Sequence, residues 1–247
     1  MDLGIRGRKA LVIGASQGLG YACARALAHE GADVVLASRG GETLANAADR
    51  LAAETGRPVG HVGADASTEA GRAAILAACP APDILVTNAG GPPALRFRNI
   101  TPEDWAKALD TNFLSAVELI RATVDGMIAR GFGRIVNITS LSVRMPITGL
   151  DLSTSARMAL TGYVAGIARE VAPHGVTINN LLPGTFATER LKAMGSLTSD
   201  LVSRVPMGRA GEPDEFGATC AFLCSRHAAY MTAQNILVDG GVCPFTI

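Results

Sequence analysis

Short, unbroken apolar runs separated by longer stretches of helical periodicity narrow the architecture of this chain more than any other feature. The runs are Ala10–Ile13, Asp33–Ala37, Pro58–Gly63, Ile84–Thr87, Arg134–Thr139, Val176–Leu181 and Asn235–Val238. Segments such as A-L-V-I, V-V-L-A and I-L-V-T do not alternate apolar with polar. A strand covered on both faces reads this way; a strand wetted on one face does not. Helix-like stretches fill the intervals: Leu19–Glu30, Glu42–Glu54, Ala70–Ala78, Pro102–Ala129, Thr154–Ala172 and Pro213–Cys224. Thr101-Pro102-Glu103-Asp104 offers a capping hydroxyl, a first-turn proline and acids at the positive end of a helix. Gly131 and Gly175 follow helix ends, where left-handed backbone costs glycine little. This alternation predicts an α/β fold, a doubly wound parallel sheet with helices on both faces. With 247 residues and neither repeat nor linker, a single domain spanning 1–247 is expected.

Composition removes several classes of function. Lys plus Arg (22) balance Asp plus Glu (22), so no nucleic-acid partner is expected. Only 4% of residues are aromatic, too few for base-stacking platforms. No apolar run approaches the ~18 residues of a membrane span. The stretch M-D-L-G-I-R-G-R-K lacks the apolar core of a signal peptide. Cys23, Cys79, Cys220, Cys224 and Cys243 form neither C-x-x-C nor a Cys/His ligand spacing. They read as small buried hydrophobes in a reducing, cytoplasmic setting, and no metal is expected.

The stretch G-A-S-Q-G-L-G follows the first run and opens the first helix. Gly14, Ser16, Gly18 and Gly20 are therefore expected to cradle a pyrophosphate against free helix N–H groups. The end of the second strand should choose the cofactor, because an acid there would bind a ribose 2′-hydroxyl. Asp33 lies at the wrong end of that strand, which runs out to Ala37-Ser38-Arg39. Ser38 and Arg39 suit a 2′-phosphate, so NADP(H) is expected over NAD(H).

Further motifs follow in order: Asp65-Ala66, Thr87-Asn88-Ala89-Gly90, Asn112 in L-D-T-N-F, Ser140 ending I-V-N-I-T-S, and Pro183-Gly184 with Thr188. A closing run from P-M-G-R-A-G-E-P-D-E-F to I-L-V-D-G-G completes them. Together they resemble the short-chain dehydrogenase/reductase family, most closely its 3-oxoacyl-carrier-protein-reductase-like branch, over essentially the whole chain. The resemblance implies a Rossmann-type, seven-stranded sheet of order 3-2-1-4-5-6-7. It implies that Asp65 and Ala66 flank an adenine, that Asn88, Ala89 and Gly90 lie beside a ribose, and that Pro183, Gly184 and Thr188 position a nicotinamide. Asn112 and Ser140 match two of the family's four catalytic positions. A homotetramer or homodimer is implied, with the Pro102–Ala129 and Thr154–Ala172 helices pairing across subunits.

The other two positions depart from the family. It places a tyrosine thirteen residues after the serine and a lysine four later; here Ser153 and Arg157 stand there. None of Tyr21, Tyr163 and Tyr230 is followed by lysine four positions on. A phenol titrates near pKa ~10; a serine hydroxyl is far weaker as an acid. Arg157 keeps its proton and is expected to act only as a fixed donor. The combination of N-A-G-G-P with S-x-x-x-R resembles a subgroup of the family that shares both. Arg144 and Asp151 are the nearest candidate substitutes. Arg144 with Arg157 would make a pocket for an anionic substrate, while Asp151 also reads as a helix N-cap. Arg96 and Arg98 read as solvated, and His29, His61, His174 and His227 as remote from the chemistry. The segment from Phe186 to Asp200, with Gly195, Ser196 and Ser199, should pack loosely. The expected function is an NADP(H)-dependent oxidoreductase acting on a carbonyl or secondary alcohol of a small molecule by a modified mechanism. Alternatives are an aldolase-type lyase, dehydratase or isomerase on the same scaffold, or a silent dinucleotide-binding homologue.

Overall fold

The computed structural model describes residues 1–193, 195 and 197–245. Its strands are β1 (Lys9–Ile13), β2 (Asp33–Ser38), β3 (Gly60–Gly63), β4 (Ile84–Thr87), β5 (Gly133–Ile138), β6 (Val176–Pro183) and β7 (Asn235–Val238). They form one parallel sheet in the order β3-β2-β1-β4-β5-β6-β7. The helices are α1 (Gly18–His29), α2 (Gly41–Thr55), α3 (Glu69–Ala78), α4 (Pro102–Leu109), α5 (Ser115–Ala129), α6 (Asp151–Val171), α7 (Glu189–Lys192), α8 (Leu197–Ser203) and α9 (Pro213–Cys224).

The two-sided burial read from the apolar runs is resolved residue by residue. Ala10 and Val12 of β1 join Ile84 and Val86 of β4 in one core, beneath α1, α2 and α9. Their neighbours Leu11, Ile13 and Leu85 enter the opposite core, beneath α3, α5 and α6. Strand residues alternate faces, so both sets must be apolar. Cys23, Cys220 and Cys224 are buried in the first of these cores.

The mid-sheet also holds a polar rung. Thr87 Oγ1 donates to Asn137 Oδ1 (2.7 Å), Asn137 Nδ2 to Asn180 Oδ1 (3.0 Å), and Asn180 Nδ2 to Asn235 Oδ1 (2.8 Å). These residues are direct register partners on β4, β5, β6 and β7.

Four expectations change in detail. The stretch Pro102–Ala129 is not one α-helix, because a π-turn at Asp110–Leu114 separates α4 from α5. The Pro58–Gly63 strand begins at Gly60. Asp151 is not an N-cap: Leu150 occupies that position, and Asp151 is exposed at the first helical residue, so α6 starts earlier than Thr154. The segment after β6 carries α7 and α8, and Phe186 is buried edge-on against Phe216 of α9 at 5.3 Å. Ser196 lies outside the described residues. No helix among the described residues is long and apolar enough to cross a membrane.

Candidate active site

The connection after β1 runs to β2 on one side, and the chain later returns to β4 on the other. A crevice therefore opens outside the carboxyl ends of β1 and β4, where α/β sheets take their ligands. Gly14, Arg39, Asp65, Asn88, Ser140 and Gly184 all follow strand ends on this side. Sequence neighbours scattered over 170 residues are thus brought to one rim.

The glycine-rich turn is built by exclusion of side chains. A Cβ at Gly20 would lie 2.3 Å from the Gly14 carbonyl oxygen, and one at Gly14 would lie 2.7 Å from Asn88 Nδ2. Gly14 and Gly18 adopt φ of 63° and 60°, which disfavours any larger residue. Asn88 Nδ2 donates to the Gly14 carbonyl at 3.1 Å, tying β4 to the turn. Gln17, the N-cap of α1, makes no side-chain cap, and the first turn holds no acid. The α1 N–H groups are left for an anion, with Ser16 partly exposed beside them. These features fit a dinucleotide pyrophosphate.

The adenosine end agrees with the residue types. Asp33 pairs with Arg57 at the far end of β2, away from the crevice. Ser38 Oγ accepts from Gly40 N at 3.3 Å, leaving the exposed Arg39 at the rim. A Cβ at Gly90 would stand 4.0 Å from Arg39 Nη2, so this guanidinium leans toward the turn after β4. Asp65 accepts from Ser67 N (2.9 Å) and Ser67 Oγ (2.7 Å). Those bonds, the backbone one foremost, hold its carboxyl below the usual range, and Arg39 adds a smaller push. Ala66 follows, its carbonyl accepting from Arg72 at 3.1 Å.

At the opposite end of the crevice stand the exchanged residues. Arg157 is 7% exposed and has no carboxylate partner among the described residues. Its Nε donates to Ser153 Oγ (3.2 Å), Nη1 to the carbonyls of Ile138 and Thr139 (2.8 Å each), and Nη2 to the Ala89 carbonyl (3.0 Å). Four of five N–H groups are thus committed to the ends of β4 and β5 and to Ser153. Burial foremost, with the nearby charge of Arg190, lowers its pKa to about 10. The group stays cationic at neutral pH.

Ser153, also 7% exposed, accepts from Arg157 and makes no other hydrogen bond, so its own proton is free to donate. Ser140 is placed similarly: its Oγ accepts from Ser142 N at 3.1 Å and its proton is unspent. Asn112, 4% exposed, is carried by the π-turn. Its Nδ2 donates to the Ala108 carbonyl at 3.4 Å and its Oδ1 has no partner. Asn112, Thr87, Asn88 and Arg157 line a cavity of about 10 Å³, the room one water needs.

The remaining candidates separate. Pro183 ends β6, and Gly184 lies so near Asp239 that a Cβ would come within 2.7 Å of it. Thr188 caps α7, accepting from Leu191 N at 3.4 Å. Arg144 is partly buried and makes no side-chain bond to a described residue, and the charge of Arg190 reaches Arg157. Asp151 is exposed and forms no ion pair with a described residue, and Arg98 stacks on Phe97 at 4.5 Å. Arg190 was not anticipated; its place beside Thr188 was the only hint. Among the described residues no group of His, Cys, Asp or Glu could hold a metal.

A family model described as enoyl-(acyl carrier protein) reductase matches residues 14–243. The chain belongs to the short-chain dehydrogenase/reductase family. It is 34% identical to the 3-oxoacyl-[acyl-carrier-protein] reductase FabG of Vibrio cholerae, over 97% of this chain and 99% of that one. The L-sorbose reductase of Gluconobacter frateurii, solved with NADPH and L-sorbose, superposes with a TM-score of 0.93 at 31% identity, covering 99% and 100% of the two chains. A 3-oxoacyl (acyl-carrier-protein) reductase from Agrobacterium tumefaciens C58 with NADP bound gives 0.90 at 31% identity, covering 97% and 95%. The family assignment agrees with the residues on which the resemblance rested.

Proposed function

We propose that this family member is an NADPH-dependent reductase of a small carbonyl compound, or the reverse dehydrogenase, in which two serine hydroxyls replace the phenol. The observation that carries this reading is the bond from Arg157 Nε to Ser153 Oγ. It occupies the acceptor side of the hydroxyl with a buried cation and turns the donor side outward. When bound, the dinucleotide supplies the hydride. Gly14, Ser16, Gly18 and Gly20 with the α1 N-terminus would hold its pyrophosphate, and Ser38 and Arg39 its 2′-phosphate. Asp65, Ala66, Asn88, Ala89 and Gly90 would border the adenosine, and Pro183, Gly184 and Thr188 the nicotinamide. The NADPH and NADP complexes of the similar reductases support the phosphorylated cofactor.

Ser153 and Ser140 donate to the carbonyl oxygen as negative charge builds on it. Each such preplaced donor is worth about 10²–10³ in rate. Arg157 holds Ser153 in place and does not pass its own proton. Asn112 orders the cavity behind it. The proton that completes the alcohol enters from solvent at the crevice mouth, so turnover is slower than with a phenol acid.

Oxidation of NADPH, followed by absorbance with β-keto esters, diketones and sugar-derived ketones, tests the reading. Turnover with NADPH and at least tenfold weaker use of NADH is expected. Ser153→Tyr combined with Arg157→Lys should raise the rate. Tight NADPH binding without oxidation across the panel would overturn the reductase reading in favour of a binding module.

A further inference from the structure

The described segment after β6 lies across the crevice. A Cβ at Gly18 would sit 3.7 Å from Thr188 Cγ2, and one at Gly91 would sit 3.0 Å and 3.2 Å from Arg190 Nη1 and Nη2. One threonine thus covers the glycine-rich turn, while the arginine two residues on covers the turn after β4. Glu189, the acid beside it, is occupied by Lys192 at 2.7 Å. Arg190 itself is exposed and forms no ion pair or hydrogen bond with a described residue.

Its charge reaches Arg157, where it adds to the effect of burial. Arg157 is solvated by three carbonyls and one hydroxyl and meets no carboxylate among the described residues. Arg157 bonds the Ala89 carbonyl and Arg190 lies against Gly91, so the two guanidinium groups flank one turn and repel, and an anion seated between them relieves that repulsion. Gly91 keeps the approach open, since any side chain there would displace the guanidinium.

We propose that Arg190 is an anion-binding residue of the crevice, closing from the α7 side over an anionic oxygen group that lies between it and Arg157. A phosphate of the dinucleotide and a carboxylate of the substrate offer the same chemistry to it. The proposal deepens the reading above and rests on it, but its readout is binding, so the two can fail separately.

The test compares the unmodified chain with Arg190→Ala and Arg190→Lys. NADPH is titrated by nicotinamide fluorescence. Malonate is then titrated by calorimetry into NADP⁺-saturated protein, with malonamide as the neutral control. Arg190→Ala should weaken one of the two ligands about tenfold or more, with partial recovery in Arg190→Lys and no change in Tm. Loss of NADPH affinity identifies the phosphate as the anion; loss of malonate alone identifies a substrate carboxylate. Unchanged NADPH affinity together with no Arg190-dependent malonate binding overturns the proposal. A chain that binds no dinucleotide sinks the functional reading instead, and inorganic pyrophosphate titrated into the same proteins then decides on Arg190.

Discussion

Two arginines are buried at opposite ends of β5, and both are solvated by backbone carbonyls. Arg134, at the amino end, donates to the carbonyls of Gly133, Gly175 and Ser225. It lies over Phe132 at 4.4 Å, with Arg8 over the same ring at 3.9 Å. Arg157, at the carboxyl end, does the equivalent with Ala89, Ile138 and Thr139. Desolvation is the leading cause that lowers the pKa of each. The difference lies in what surrounds them. Arg134 meets backbone carbonyls and an aromatic ring, whereas Arg157 touches a hydroxyl with a spare proton, a small cavity and the crevice. A buried cation on its own is a brace. Its neighbours make it part of a site.

Removing each cation gives the largest effect and the clearest way to break this comparison. Arg157→Ala takes a donor from three carbonyls, and Arg134→Ala does the same at the other end, where Gly175 O keeps a second donor, Gly133 N. An orphaned buried group costs about 1–3 kcal/mol, so each variant should lose about 3 kcal/mol or more in urea denaturation. Only Arg157→Ala should also abolish NADPH oxidation, measured on folded protein. Equal loss of turnover in both would erase the distinction.

Ser153→Ala sharpens it. The substitution removes one outward donor, so kcat should fall about 10²–10³, while stability falls by less than in Arg157→Ala, about 1–3 kcal/mol for the Nε left without its acceptor. A matching drop in stability would place Ser153 in the brace. The smallest effect is the pH dependence. With Arg157 at a pKa of about 10, turnover should be level across neutral pH and fall as pH rises through about 10. Its pKa is depressed on folding, so the cost of burying the charge is present in full below that point and is relieved above it. The alkaline loss of turnover should therefore not coincide with loss of fold driven by this residue, which circular dichroism across the same pH range would check.

The sheet was legible because two-sided burial forces solid apolar runs, and five of its helices because their apolar residues recur at helical spacing. The π-turn at Asp110–Leu114 was hidden, since an extra residue in a helix leaves the surrounding periodicity nearly intact. The glycine-rich turn could be located from its order in the chain. What could not be read was the carbonyl cage around Arg157, made by residues 18 to 68 positions away. Arg190 escaped for a related reason: T-E-R-L-K reads as a wet helical turn, and only the tertiary approach to Gly91 brings it to the crevice. The N-cap reading of Asp151 failed because α6 begins one residue sooner than a capping acid would require.

The rung of Thr87, Asn137, Asn180 and Asn235 bears on how this half of the sheet finds its alignment. Hydrophobic strands tolerate sliding, because one aliphatic side chain replaces another at little loss. An amide cannot be so exchanged: a two-residue slip of β5, which keeps every side chain on its face, would set Asn137 opposite Leu85 or Ala89 on one side and Ile178 or Leu182 on the other, and strand its donors in a dry layer. Misaligned pairings are thereby rejected at three successive seams, and the serines and arginine at the strand tips inherit their placement from that selection.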